Sequence, residues 1–186
     1  MATVLIAYAT GEGQTAKVAA RLAETLGDRG HEATLADVNA ASPTVDDADA
    51  VLVGASIHAG KHQSAVTSFV REHHDELAAR PNGFFQVSLS SATDDEQRRA
   101  EAAGYVEDFV ADTEWHPDRI GLFGGALRYS EYGFLKRLVM KQIAKSATGD
   151  TDTKRDYEYT DWAEVEQFAS DFAAFVEGRL GVTPPE

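Results

Sequence analysis

The 186-residue chain carries 31 acidic and 17 basic side chains, a net charge of −14, and contains no cysteine. A chain this negative is a poor partner for the phosphate backbone of nucleic acid, and the missing thiols exclude disulfides, thiolate metal sites and redox cysteines, leaving any electron chemistry to a bound cofactor. An apolar content of 43% suffices for the core of one domain over residues 1–186, no apolar run is long enough to span a bilayer, and the expected location is the cytoplasm.

Thr3–Tyr8 reads as an apolar strand that runs into TGEGQT, which opens a helix over Gln14–Gly27. Thr10, Gly11, Glu12, Gly13, Gln14 and Thr15 thus form a strand-to-helix loop with hydroxyls, bare backbone and the unpaired N–H groups of a helix start, a setting suited to phosphate. Its spelling leaves three readings open. GEGQTA fits the G-x-G-x-x-A dinucleotide fingerprint, with Asp37 closing a second strand, Ala33–Asp37, at the distance of a ribose-binding acid. Thr10 and Thr15 at the two ends suit a terminal monophosphate instead, and a Gly-rich turn also occurs with no ligand at all.

Further strands are expected at Ala50–Ala55, Gly83–Ser90 and Arg119–Ala126, the middle ones as continuous apolar runs of a sheet buried on both faces. Helices are expected at Gln63–Ala79, Asp94–Asp112 and Asp161–Glu177, the last capped by Thr160 or Asp161. Five strands alternating with helices make a doubly wound α/β parallel sheet, ordered 2-1-3-4-5, with a crevice beyond the C-terminal ends of strands 1, 3 and 4. Three segments meet there: TGEGQT, the stretch holding Ser56, Ile57, His58, Ala59 and Gly60, and the stretch holding Ser88, Leu89, Ser90 and Ser91. Small polar residues of this kind suit backbone and hydroxyl contacts with a flat ring and its side chain. His58 and His62 stand four apart in a loop, where that spacing makes no metal site, and no metal set is expected.

Charge is unevenly spread. Between Gly124 and Arg155 seven bases face three acids, a net of +4, so the rest of the chain carries −18. A basic island in an acidic chain points to an anionic partner or a membrane surface. Only six of the bases are lysines, and the acidic remainder resembles the surfaces of proteins from salt-loving organisms, which stay hydrated while salt screens their repulsion.

EGQT at 12–15, GASIHAGKHQSA at 54–65, WHPDRIGLFGGALRY at 115–129 and GDTDTKRDYEYTDW at 149–162 together carry a resemblance that covers essentially the whole chain. It is to the flavodoxin fold and, within it, to the menaquinone-dependent protoporphyrinogen IX dehydrogenase family, whose loop has a charged pair where this chain has Gly11 and Glu12. The resemblance implies FMN as cofactor, held by the three crevice segments, and oxidation of a porphyrinogen with electrons passed to a quinone. It also implies a fifth strand interrupted by an insertion at about 127–156, with Arg119–Ala126 as its first part and Tyr157–Tyr159 as its continuation. Arg128 with Lys136 or Arg137 would pair the substrate's propionates, Arg offering a planar fork to carboxylate. His58 is a weak candidate for moving a proton, since the flavin itself carries the chemistry. Inside the insertion, YSEYGFLKRLVMKQIAK reads as a cationic amphipathic helix that either packs back on the fold or makes a peripheral contact with the cytoplasmic face of an anionic membrane. A flavodoxin-type electron carrier is the alternative function, and it needs no such insertion.

Overall fold

The structure, a computed structural model, describes residues 1–183. The strands are β1 (Thr3–Tyr8), β2 (Glu32–Asp37), β3 (Ala50–His58), β4 (Lys61–His62), β5 (Asn82–Ser88), β6 (Arg119–Gly124), β7 (Ala126–Leu127) and β8 (Tyr157–Glu158). The helices are α1 (Gln14–Asp28), α2 (Ser64–Glu72), α3 (His74–Ala78), α4 (Glu96–Thr113), α5 (Phe134–Ala147) and α6 (Trp162–Leu180). The main sheet runs β2-β1-β3-β5-β6, all parallel, with the short β4 folded antiparallel onto the end of β3. Setting β4 aside, this is the expected 2-1-3-4-5 order.

Alternation along the central strands divides the core into two layers. Val4, Ile6, Leu52, Phe85 and Val87 face α1 and α6, where they meet Val18, Leu22, Leu26, Phe172 and Val176. Leu5, Ala7, Val51, Val53 and Phe84 face the opposite way, against Phe69, Val70, Leu77, Phe109 and Trp115. Because β3 and β5 are covered on both sides, Ala50–Ala55 and the whole of β5 are buried without alternation, Asn82, Gln86 and Ser88 of β5 included. Each such side chain contributes about 1.5–3 kcal/mol by leaving water.

β3 runs on to His58, three residues past the expected Ala55, so Ser56, Ile57 and His58 stand on a strand, and α6 runs on to Leu180. Three further boundaries also differ from expectation. The helix expected over Gln63–Ala79 is two helices, because the backbone opens at His73 (φ −108°, ψ 23°), whose ring packs on Phe69 with centroids 4.8 Å apart. The strand expected to reach Ser90 stops at Ser88, where the chain turns into a short 3-10 helix, Ser90–Ala92. Finally, the strand from Arg119 leaves the sheet at Gly124. A Cβ on Gly124 would collide with the Tyr159 carbonyl, so glycine is needed there, and the next residue, Gly125, donates its N–H to Ser88 O at 2.9 Å where three stretches of backbone converge. The continuation at Tyr157–Tyr159 does not extend β6 within the parallel sheet: β8 returns antiparallel to β7, pairing Ala126 with Glu158 and Leu127 with Tyr157. The chain between these two strands therefore leaves and re-enters at one place, as an excursion carrying α5.

That excursion has its own small core of Leu127, Tyr129, Tyr132 and Ala144, backed by Leu89, Met140, Tyr157 and Tyr159. Among α5's residues Ala144 is the one that is fully buried. Phe134 (76% exposed), Leu135 (77%), Leu138 (51%), Val139 (59%) and Ile143 (43%) all face solvent, so the helix packs on the fold through Ala144 and Met140 and leaves its other large apolar residues outside.

Candidate active site

At the C-terminal end of the sheet a cleft opens between the β1–α1 loop, the ends of β3 and β5, and the excursion. Thr10, Glu12, Gln14, Thr15, Ser56, Ile57, His58, Ser88 and Leu89 line it, joined by Val87, Gly125, Ala126, Arg128, Lys136 and Met140. The loop is preformed. Gly13 adopts the left-handed conformation (φ 89°) and its N–H donates to Thr10 Oγ1 at 2.9 Å, fixing the turn that starts α1. No side chain caps α1 and no acid stands in its first turn, so its leading N–H groups and positive dipole end are free for an anion. Thr15 is buried (1% exposed), yet its Oγ1 has no partner. A hydroxyl buried without a partner costs stability unless something else accepts its proton. The donor set fits a phosphate, and the apolar stretch formed by Ile57, Val87, Leu89 and Met140 fits the flat ring of a flavin.

The exposed His58 ring rests directly on the loop, its Nε2 2.6 Å from where a Cβ on Gly11 would stand, a contact that the ring relieves by turning and that does not by itself require glycine. Ala59 (φ 50°) and Gly60 (φ 76°) make the tight turn into β4 and stand outside the cleft lining. Gly60 borders a neighbouring concavity of about 500 Å³ with His62, Tyr105 and Phe109. Ser90 turns away to donate to Glu101 Oε2 at 2.9 Å, and Ser91 is tied to Ser88 Oγ at 2.9 Å, so of these serines Ser88 alone faces the cleft.

The three basic residues expected to meet substrate go to different places. Arg137 donates to the carbonyls of Tyr129 and Tyr132 at 3.0 and 3.3 Å and closes the turn ahead of α5; it does not line the cleft, because those carbonyls hold its guanidinium. Lys136 lines the cleft and pairs with Glu12. Arg128 reaches back over the loop, its Nη2 donating to Gln14 Oε1 at 2.9 Å. Gln14 is in turn fixed by donating to Thr160 Oγ1 at 2.8 Å, which donates to Gly124 O at 2.6 Å. Tyr132 completes the link between loop and excursion: its hydroxyl donates to Glu12 Oε2 at 2.7 Å and accepts from Arg128 N at 3.1 Å. Burial, reinforced by the Glu12 carboxylate, pushes that phenol far above its ordinary range, so it stays protonated and remains a donor.

Val87, Gly125, Ala126 and Met140 were not anticipated. Met140 lies four residues after Lys136, one helical turn along the same face, and that spacing is the sequence signal that marks it. Among the described residues no cluster of three or more metal-ligating side chains occurs, and no helix is long and apolar enough to cross a membrane.

Comparison with known proteins agrees with this geometry. Residues 5–154 match a flavodoxin domain family. The chain is 37% identical over 170 residues to a protoporphyrinogen IX dehydrogenase [quinone] of Escherichia coli (strain K12), covering 91% of this chain and 93% of that protein. It is also 37% identical over 174 residues to the protein of that name from Leishmania major, covering 91% and 74%. Among solved structures, a short-chain flavodoxin associated with a non-canonical PDU bacterial microcompartment superposes with a TM-score of 0.58 at 16% identity, over 95% of this chain and 99% of that one.

Proposed function

We propose, from the premise that the chain belongs to the flavodoxin domain family and within it to the quinone-linked protoporphyrinogen IX dehydrogenases, that it binds FMN and oxidises protoporphyrinogen IX to protoporphyrin IX, with a quinone as electron acceptor. The observation that carries this reading is that Arg128, Lys136 and Met140 of the excursion line the same cleft as the TGEGQT loop. One opening therefore holds both a flavin-type site and a basic residue of the excursion, Lys136, placed to meet a substrate carboxylate.

When bound, the flavin supplies the hydride acceptor and the relay of electrons onward. The protein's share is placement. Thr10, Thr15 and the α1 N-terminus hold the phosphate, Ser56 and Ser88 flank the polyol chain, and Ile57, Val87, Leu89 and Met140 keep water from the ring. Lys136 binds a propionate by exchanging it for Glu12, its present partner. His58, on the exposed rim, takes the proton released as the macrocycle is oxidised. A lipid-dissolved acceptor explains the helix at the cleft mouth. The outward face of α5 offers Phe134, Leu135, Leu138, Val139 and Ile143, its flanks offer Lys136, Lys141 and Lys145, and the helix contains no acid. Such a surface suits an anionic bilayer, with each lysine near it contributing about 1 kcal/mol.

Because β7 and β8 already pair as the two arms of a hairpin, residues 130–155 are replaceable by a short Gly-containing turn. The test compares this variant with the parent in anaerobic porphyrinogen turnover with and without menaquinone, flavin titration and sedimentation with anionic vesicles. The parent is expected to turn over in a quinone-dependent manner and to bind vesicles, while the variant titrates flavin but does neither. A parent that binds flavin and never oxidises porphyrinogen overturns this reading in favour of an electron carrier, and a variant that turns over like the parent overturns the part assigned to the excursion in substrate binding.

A further inference from the structure

We propose that Arg128, expected from the sequence to meet substrate, is instead a ligand of the cofactor's phosphate, so that the excursion makes the site selective for a phosphorylated flavin over the same ring system without phosphate. The inference rests on the flavin reading above and goes beyond it, because that reading places the phosphate on residues of the β1–α1 loop and the start of α1, whereas Arg128 follows β7.

Two buried donors at this loop lack partners: Thr15 Oγ1 and Arg128 Nε. Both residues line the cleft, and the Arg128 side chain is only 20% exposed. Arg128 uses Nη2 on Gln14 Oε1, which turns the guanidinium across the start of α1 and leaves Nε pointing where no protein acceptor stands. Gln14 is held in that orientation by Thr160, so the arginine is aimed by the fold rather than by the ligand.

Charge tells the same story. Glu12 is engaged by Lys136, and Glu158 by Lys17 at 3.2 Å, with Arg128 at 3.8 Å from the same Glu158 oxygen. The linked set thus holds three cations against two carboxylates, a surplus of one positive charge beside a helix N-terminus whose first turn has no acid. A dianion such as a phosphate monoester satisfies both orphaned donors and that charge together, and the guanidinium fork matches its oxygens. A propionate bound to Arg128 would have to enter the same loop and would leave Thr15 with at most one oxygen to share.

The test titrates the apoprotein with FMN and with riboflavin, following flavin fluorescence, for the parent, Arg128→Met and Arg128→Lys. The parent is expected to prefer FMN. Arg128→Met should weaken FMN by about 10- to 100-fold, the loss of a charge-assisted bond, while riboflavin binding changes by less than about 2-fold, and Arg128→Lys should recover part of the loss through its charge. Riboflavin binding by the variants also reports that the fold is intact. Unchanged FMN affinity in Arg128→Met, or an equal loss of both flavins, overturns the assignment while leaving the flavin reading in place. A parent that binds neither flavin overturns both.

Discussion

The main sheet and the excursion bury their residues by different chemistry. Apart from Trp115, the sheet's apolar core consists of aliphatic and phenylalanine side chains that need no hydrogen bonds, packed from both faces by five helices. In the excursion the buried aromatics are tyrosines, and their hydroxyls hold the segment in place: Tyr129 donates to Asp150 O at 3.1 Å, Tyr132 to Glu12, and Tyr159 to Asp150 Oδ2 at 2.6 Å. Ser130, tied to Asp156 through both its N–H and its hydroxyl, pins the near end of the segment to the far end. A core of the first kind is stable wherever its residues leave water. A core of the second kind is stable only in one geometry, because a buried hydroxyl that loses its partner is penalised. The excursion therefore trades depth of burial for a defined position over the β1–α1 loop, and the difference between the two regions can be tested by removing one side chain at a time.

The largest effect is expected in the sheet. Phe85, fully buried and packed on the bare backbone of Gly54, should cost about 3–5 kcal/mol of global stability when replaced in Phe85→Ala, read from denaturant unfolding. A loss below about 1 kcal/mol would mean that the two-layer core does not carry the fold.

Tyr132→Phe should act locally. It removes the donor to Glu12 and the acceptor for Arg128 N–H, at about 1–3 kcal/mol, and this should appear as faster amide exchange over residues 128–147 with the strands of the main sheet unchanged. Uniform acceleration across the chain would show that the excursion and the sheet open as one unit.

The smallest effect concerns pH. His62 lies under the β3–β4 turn against Phe84 and Phe109, and burial pushes its imidazole below the ordinary value of 6.5, opposed by a bond to Gln86 and the charge of Asp108. The unfolded chain thus takes up this proton more readily than the folded one. The stability tied to His62 is present above pH 6.5 and is lost as pH falls from there through the lower folded value, with a slope of at most about 1.4 kcal/mol per pH unit. Unfolding measured from about pH 5 to 8 should show this slope in the parent and its loss in His62→Phe. A variant that keeps the slope would place its origin elsewhere.

Periodicity carried the expectations furthest where packing is decided by the strand or helix itself. The starts of β1, α1 and β3, the order of the sheet and the Asp161 cap, which accepts from Ala163 N and Glu164 N, all follow from local pattern and loop chemistry. The three cleft segments were placed together by the strand order alone, since an α/β sheet gathers its ligands at the C-terminal ends of neighbouring strands. What Ser90, Arg137 and Arg128 do was not readable from these patterns. Each has its partner at a distance fixed by tertiary folding: Ser90 meets Glu101 on α4, Arg137 meets carbonyls exposed by a 3-10 turn, and Arg128 meets Gln14, more than 100 residues away along the chain.

By itself, then, the sequence determined the sheet, its order, the glycine-containing strand-to-helix loop and the existence of a cationic segment, because hydrophobic period, glycine and charge act over a few residues. The tertiary structure alone decided which way β8 runs, which face of α5 meets water and which arginine reaches the loop. A two-residue strand has no periodicity to set its direction, and an amphipathic helix does not encode its own partner. The reach of Arg128 depends on Gly124 letting the chain pass close to Tyr159 and on the Gly125 N–H bond to Ser88 just ahead of β7, contacts between segments that meet only once the sheet is closed.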